Sequence, residues 1–396
     1  MEFSSEENMK EIFQHLDKFE IDSPNKSDKI IKSLYKTIKK AIEANNVFEK
    51  TEKKVEYKND ILGTDLFDSK YVPQEVNDYI DSKLVFSLED SHSYVPTKIH
   101  YTTKVGSRKV EIFFILFEEE ERIDIFANYV ISWLMVLDKY SDKMCSNSLK
   151  IHFVMTDLKK KLPTDEMDIL GVSHCNSAVT YACAPKGEML IFRKQEWFKV
   201  FIHETFHSYG LDFSTMDTLD FNKKIKHIYP IKSEFNLFES YTEFWATIIN
   251  CIYNSYVLLD GCEDILYFDL CIKMEQIFSL FQCAKILRFM GLSYKQLYSD
   301  DDASVGMRKM MYKEKSNIFA YYIVKALLLY KYDDFLLWCK KHNKNILQFN
   351  NLKAFYTFIG KTYNDPNFLE HLNRTSFLQV SDFLKKTMRM TLLEIS

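Results

Sequence analysis

The sequence predicts an α+β protein: a small twisted sheet with an edge strand and a backing helix, joined to a mostly helical C-terminal half. Three observations predict it. Runs rich in β-branched and aromatic residues, separated by turn residues, cluster between about 94 and 195. One apolar helical run, from Trp197 to Gly210, follows directly on the last of them. Beyond Gly210 the apolar spacing stays helical nearly to the end, and Gly (9) and Pro (7) are scarce throughout the 396 residues.

Composition bounds the function. A hydrophobic share of 46% with 27% charged residues is that of a globular protein, and a net charge of −4 supplies no drive toward nucleic acid. The N-terminal Met-Glu-Phe-Ser-Ser-Glu-Glu has no apolar core of a secretory signal, and no run of 18 apolar residues occurs. Eight cysteines (145, 175, 183, 251, 262, 271, 283 and 339) form no Cys-x-x-Cys pair. That spacing disfavours a disulfide framework and points to free buried thiols in a reducing compartment, so the expected location is cytoplasmic.

In chain order, residues 1–90 read as a helical, Lys-rich N-terminal region. Ile30, Ile31, Leu34, Tyr35, Ile38 and Ile42 fall at helical spacing among Lys29, Lys32, Lys36, Lys39 and Lys40. A surface helix with a solvated lysine face is the preferred reading over a membrane-surface helix. Residues 91–215 form an α+β subdomain. Thr97–Val105 and Arg108–Phe117 make a hairpin around Gly106-Ser107, and Glu118 to Glu121 lead into a helix over 123–140. Lys150–Thr156, Cys175–Cys183 and Glu188–Arg193 are further strands. Residues 216–396 form a helical subdomain, with helices over Ser233–Leu258, Glu263–Met290, Asn317–Tyr332 and Asn351–Thr362. Asp300-Asp301-Asp302 reads as a solvated loop.

The chemistry lies in His203-Glu204-Thr205-Phe206-His207, the pattern H-E-x-x-H inside the run that Gly210 ends. Histidines four apart share one helix face, so both reach one metal ion. Glu204 beside the first can act as a base on a water at that metal. A catalytic zinc centre needs a third protein ligand. Gly210 matches a metzincin extension, but its third ligand then falls at Phe213, and Asp212 is off by one residue. His227, in a lysine-rich connection, reads as a surface residue. Glu239 is the preferred ligand. It lies one turn from Glu243 on an aromatic helix, where two carboxylates are costly to bury without compensation. A metal on Glu239, with Glu243 accepting the N–H of a ligand histidine, accounts for both.

H-E-x-x-H followed some thirty residues later by E-x-x-x-E resembles the gluzincin branch of zinc metallopeptidases, over residues 175–246. The resemblance implies a zincin-like core and one zinc ion on His203, His207 and Glu239. It makes Glu204 the general base and Glu243 the carboxylate that orients a histidine. Asn176, Ser177 and Ala178, in the stretch Asn176–Tyr181, look like the edge strand on which that family binds peptides. The family also uses a second electrophile from the downstream half. No motif places it here; Tyr241 and Tyr322 are the candidates, with Tyr321 beside them. The segment 176–213 is similar to uncharacterised metallopeptidase-like proteins of large DNA viruses, which implies a viral protein in host cytoplasm or virion.

The expected function is therefore a zinc-dependent metallopeptidase acting on a protein or peptide, with no nucleic-acid partner and no transmembrane segment. Two alternatives stay open: a catalytically silent zincin-fold binding or virion structural protein, and a zinc amidase acting on a non-peptide amide.

Overall fold

The structure is a computed structural model that describes residues 5–19, 26–44, 51–57, 63–89, 94–259 and 265–395. Its architecture is α+β, with a six-stranded mixed sheet and a helical C-terminal half. The chain forms two compact units. One comprises Lys32–Lys160, Asn176–Thr215 and Ile395–Ser396; the other comprises Met1–Ile31, Lys161–Cys175 and Met216–Glu394. No helix among the described residues is long and apolar enough to cross a membrane.

The strands are β1 (Glu52–Tyr57), β2 (Thr97–Val105), β3 (Arg108–Leu116), β4 (Ser148–Val154), β5 (Leu170–Gly171), β6 (Ala178–Thr180), β7 (Lys186–Ile191) and β8 (Glu314–Lys315). The sheet of the first unit has the order β1-β2-β3-β4-β7-β6. β3, β4 and β7 run parallel, while β1, β2 and β6 pair antiparallel with their neighbours. The hairpin turns where expected, at Gly106 and Ser107. Gly106 has φ +60, and a Cβ there would collide with the Asp138 carboxylate, so only glycine suits the site.

The helix Ile123–Leu137 provides the crossover between parallel β3 and β4, a connection that antiparallel strands do not need. It and the helix Trp197–Ser208 bring aromatic rings together with the sheet, Trp197 against Phe114, Phe126 and Phe153, and Phe201 against Phe153. Each such buried side chain contributes about 1.5–3 kcal/mol. A separate cluster of Leu66, Phe67, Val76 and Ile80 packs on Ile115, Val154, Leu190 and Phe192.

Several expectations change. Within residues 1–60, Ser5–Phe13 and Asp28–Ile42 are helical, but Glu52–Tyr57 is a strand. Its Glu-Lys-Lys-Val-Glu-Tyr has no helical apolar stripe, and its register with β2 fixes it at the sheet edge, where charges oppose unwanted pairing. In the Lys-rich helix Ile30, Ile31, Leu34, Tyr35, Ile38 and Ile42 are buried, so its apolar stripe belongs to the core. The strand expected over Cys175–Cys183 shrinks to Ala178–Thr180, because Cys175 ends a short helix, Val172–Cys175, and Ala182 and Cys183 lie in a turn.

The cysteine expectation is corrected too. Cys145 and Cys183 form a disulfide, while Cys175, Cys251, Cys271, Cys283 and Cys339 are free and buried; Cys262 lies outside the described residues. The bridge spans 38 residues of sequence, and only folding brings its halves together. It removes part of the ground for expecting a reducing compartment.

The helical unit is built on Phe238–Leu258, Ile265–Phe289 and a π-helical stretch, Phe319–Val324, that continues as Lys325–Tyr330. The helix expected from Ser233 starts only at Phe238, and the part of the second helix expected before Ile265 lies outside the described residues. Beyond Thr387, which bridges Lys161, residues 388–393 have no regular structure, yet they are buried and hydrogen-bonded by side chains. Tyr322 donates to Met388 O, Gln282 to Arg389 O and Asn250 to Leu393 O, while Glu275 accepts from the amides of Leu392 and Leu393. Asp301, expected in a solvated loop, accepts from Ser304 N and caps the helix Asp302–Met311.

Candidate metal centre

All twelve residues of Trp197–Ser208 are buried, the polar His203, Glu204 and His207 of the H-E-x-x-H pattern among them. Its start is unusual. Glu196 precedes it in the left-handed region at φ 61, and its carboxylate forms a buried ion pair with Lys160 at 2.9 Å. Its middle is tied by Trp133 Nε1, which donates to Thr205 Oγ1 at 2.9 Å. Its end closes through Gly210 at φ +64, with Gly210 N bonding His207 O and Leu211 N bonding Phe206 O. Those two bonds satisfy terminal carbonyls and reverse the chain.

The Cys145–Cys183 bridge sits at the same end. Cys183 N donates to His207 O, Ser146 Oγ donates to Ser208 O, and a Cβ on Gly210 would lie 3.1 Å from Cys145 Sγ.

His203 and His207 come together as their spacing requires, with Nε2 atoms 3.1 Å apart. Two ligands on a tetrahedral metal with bonds of 2.0–2.1 Å stand about 3.3 Å apart, so the pair fits one ion. The reversed chain places Asp212 on the other side of His207, where one carboxylate oxygen meets Nδ1. Its second oxygen accepts from Ser214 N at 3.0 Å and Ser214 Oγ at 2.7 Å. Asp212 had drawn attention only as a misplaced third ligand. Its signal was there to read: a carboxylate just past a glycine that turns the chain back beside the histidine.

In the helical unit Glu239 and Glu243 are both buried, so both carboxylates need compensation. Asn317 Nδ2 donates to Glu239 Oε1 at 3.3 Å, and Asn317 Oδ1 accepts from Asn236 N. Glu243 pairs with Lys325 at 3.3 Å, both side chains about 2% exposed, and Lys325 Nζ also donates to Met390 O.

Among the described residues, His203, His207 and Glu239 form a buried group that could hold a metal ion, each offering one ligand atom, all within 4.8 Å of one another. Two imidazoles and a carboxylate are a donor set that suits zinc. Glu204 is likewise buried, next to His203.

The remaining sequence candidates have the following hydrogen-bond partners. Tyr241 OH donates to Leu347 O and accepts from Asn343; Tyr322 OH donates to Met388 O. Both hydroxyls are thus engaged in holding main chain or side-chain amide. His227 lies exposed on the helix Leu219–Ile228, bonded to Lys223 O. Asn176 O and Ser177 O accept from Arg193 Nε and Phe192 N, just before β6, the last strand in the sheet order.

The fold and this group define an α+β protein with a candidate metal centre. No protein-family model, no curated protein and no solved structure matches the chain.

Proposed function

We propose that this protein is a zinc-dependent metallopeptidase. The observation that carries the reading is the buried group of His203, His207 and Glu239, with Glu204 beside His203 on the same helix. A zinc ion bound by these three residues would supply Lewis acidity to an attacking water and to a substrate carbonyl. Glu204 takes up the proton of that water and returns it to the leaving amine. Burial excludes bulk water from the Glu204 carboxylate and strengthens its electrostatic interactions. Glu243, in the reading taken from the family resemblance, steadies a ligand histidine.

The sheet edge supports a peptide as substrate. Phe192 N bonds Ser177 O and Tyr181 N bonds Glu188 O, so Ser177 and Tyr181 face β7. In an antiparallel pair the alternate residues, Ala178 and Thr180, direct their main-chain groups away from it. An extended peptide can pair with such groups as an added strand.

The test is a set of three variants. Wild-type protein is expected to bind one zinc per chain and cleave members of a peptide library. Glu204→Gln keeps the zinc and loses cleavage, whereas His203→Ala and Glu239→Ala lose the zinc. A wild type without zinc, or Glu239→Ala binding it as tightly as wild type, removes the assignment. Zinc binding without cleavage of any peptide favours a silent binding module or an amidase on a different amide.

A further inference from the structure

We infer that Asp212 is a positioning residue for this centre: it holds the His207 proton on Nδ1 and thereby turns the bare Nε2 toward the metal. The inference rests on the reading of His203, His207 and Glu239 as a metal centre, and it concerns a residue outside the H-E-x-x-H…E-x-x-x-E pattern.

The geometry carries it. Asp212 is 4% exposed, and its Oδ2 meets His207 Nδ1. An ionised carboxylate only accepts hydrogen bonds, so the proton in that contact belongs to the imidazole. With Nδ1 protonated, the lone pair lies on Nε2, the nitrogen that stands 3.1 Å from His203 Nε2. The carboxylate is itself held. Ser214 donates to its Oδ1 through both N–H and Oγ–H, so it cannot turn from the ring without breaking those bonds.

The arrangement depends on the turn as well. Gly210 at positive φ and the Leu211 N to Phe206 O bond fold the chain back within five residues of His207. Tautomer and ring orientation are therefore set before any metal arrives. An imidazole prepared in this way loses less freedom on ligation and is the more basic ligand.

Two measurements test this. Long-range ¹H–¹⁵N correlation spectra of the metal-free protein read the His207 tautomer directly; a purely structural role for Asp212 would not move it. Wild type is expected to show Nδ1–H, and Asp212→Ala to lose that preference. Zinc affinity, read by chelator competition, is expected to fall about 10- to 100-fold in Asp212→Ala. Ser214→Ala, which removes one of the bonds holding the carboxylate, gives a smaller loss in the same direction and serves if Asp212→Ala fails to fold. An Nε2–H tautomer in wild type, or unchanged zinc affinity in the folded variants, overturns the role of Asp212 while leaving the metal centre standing. Wild-type protein that binds no zinc overturns the metal centre itself, and this inference with it.

Discussion

Burial changes what a single charged residue means here. Glu243 and Lys325 would be an unremarkable pair on a surface, worth little. With both side chains about 2% exposed, each is costly without the other. Lys325→Met is therefore expected to lower unfolding free energy by about 3–5 kcal/mol, read from denaturant midpoints, because Glu243 stays buried and loses this counter-ion. Thr205 presents the neutral version of the same problem. Thr205→Val removes the acceptor of Trp133 Nε1 and leaves a buried indole N–H, at a cost of about 1–3 kcal/mol in the same measurement.

The histidine helix is defined as much by its ends as by its motif. At its start, the left-handed Glu196 is held by a buried pair with Lys160. At its C-terminal end, Gly210 and the disulfide occupy one small space. Gly210→Ala is expected to cost about 1–2 kcal/mol from the left-handed backbone alone. The new Cβ would also press on Cys145 Sγ at 3.1 Å. Reducing the Cys145–Cys183 bridge is expected to lower stability by about 2–4 kcal/mol, seen as an earlier urea transition with reductant than without. The bridge meets the helix beside His207, so reduction should weaken zinc retention as well as stability.

Across the helical unit, buried polar side chains take over hydrogen bonding that secondary structure usually provides. Deleting residues 387–396 would strip partners from Glu275, Gln282, Asn250 and Tyr322 together, and the shortened chain is expected to lose its cooperative unfolding transition. Stability in this unit should also depend on pH through Glu314. Burial raises its carboxyl to about 7, opposed by bonds from Phe319 N and Tyr312 OH. An acid raised on folding binds its proton more tightly in the native state, so its contribution is full below the ordinary value of 4.5. The contribution declines as pH rises from there through about 7. Glu314→Gln is expected to gain on wild type by about 3 kcal/mol between pH 4.5 and 7.5, measured as the difference of their unfolding free energies at the two values.

What the sequence determined by itself is local in origin. The β2–β3 hairpin, the helix Trp197–Ser208 with its glycine stop, and the shared face of His203 and His207 follow from turn chemistry and helical spacing, which act over a few residues. Glu239 and Glu243 were legible for a related reason: two acids on an aromatic helix face cannot be buried without compensation, and both are buried. The rest was decided by tertiary structure. Pairing of Cys145 with Cys183, of Glu243 with Lys325, and of Tyr322 with Met388 O joins residues 38 to 82 positions apart, which no periodicity encodes. Glu52–Tyr57 became a strand because β2 offered it a partner. Asp212 stands between the two cases. Its spacing from His207 is local, but its task depended on how tightly the chain turns at Gly210, a conformation that only the folded packing around the helix end makes specific.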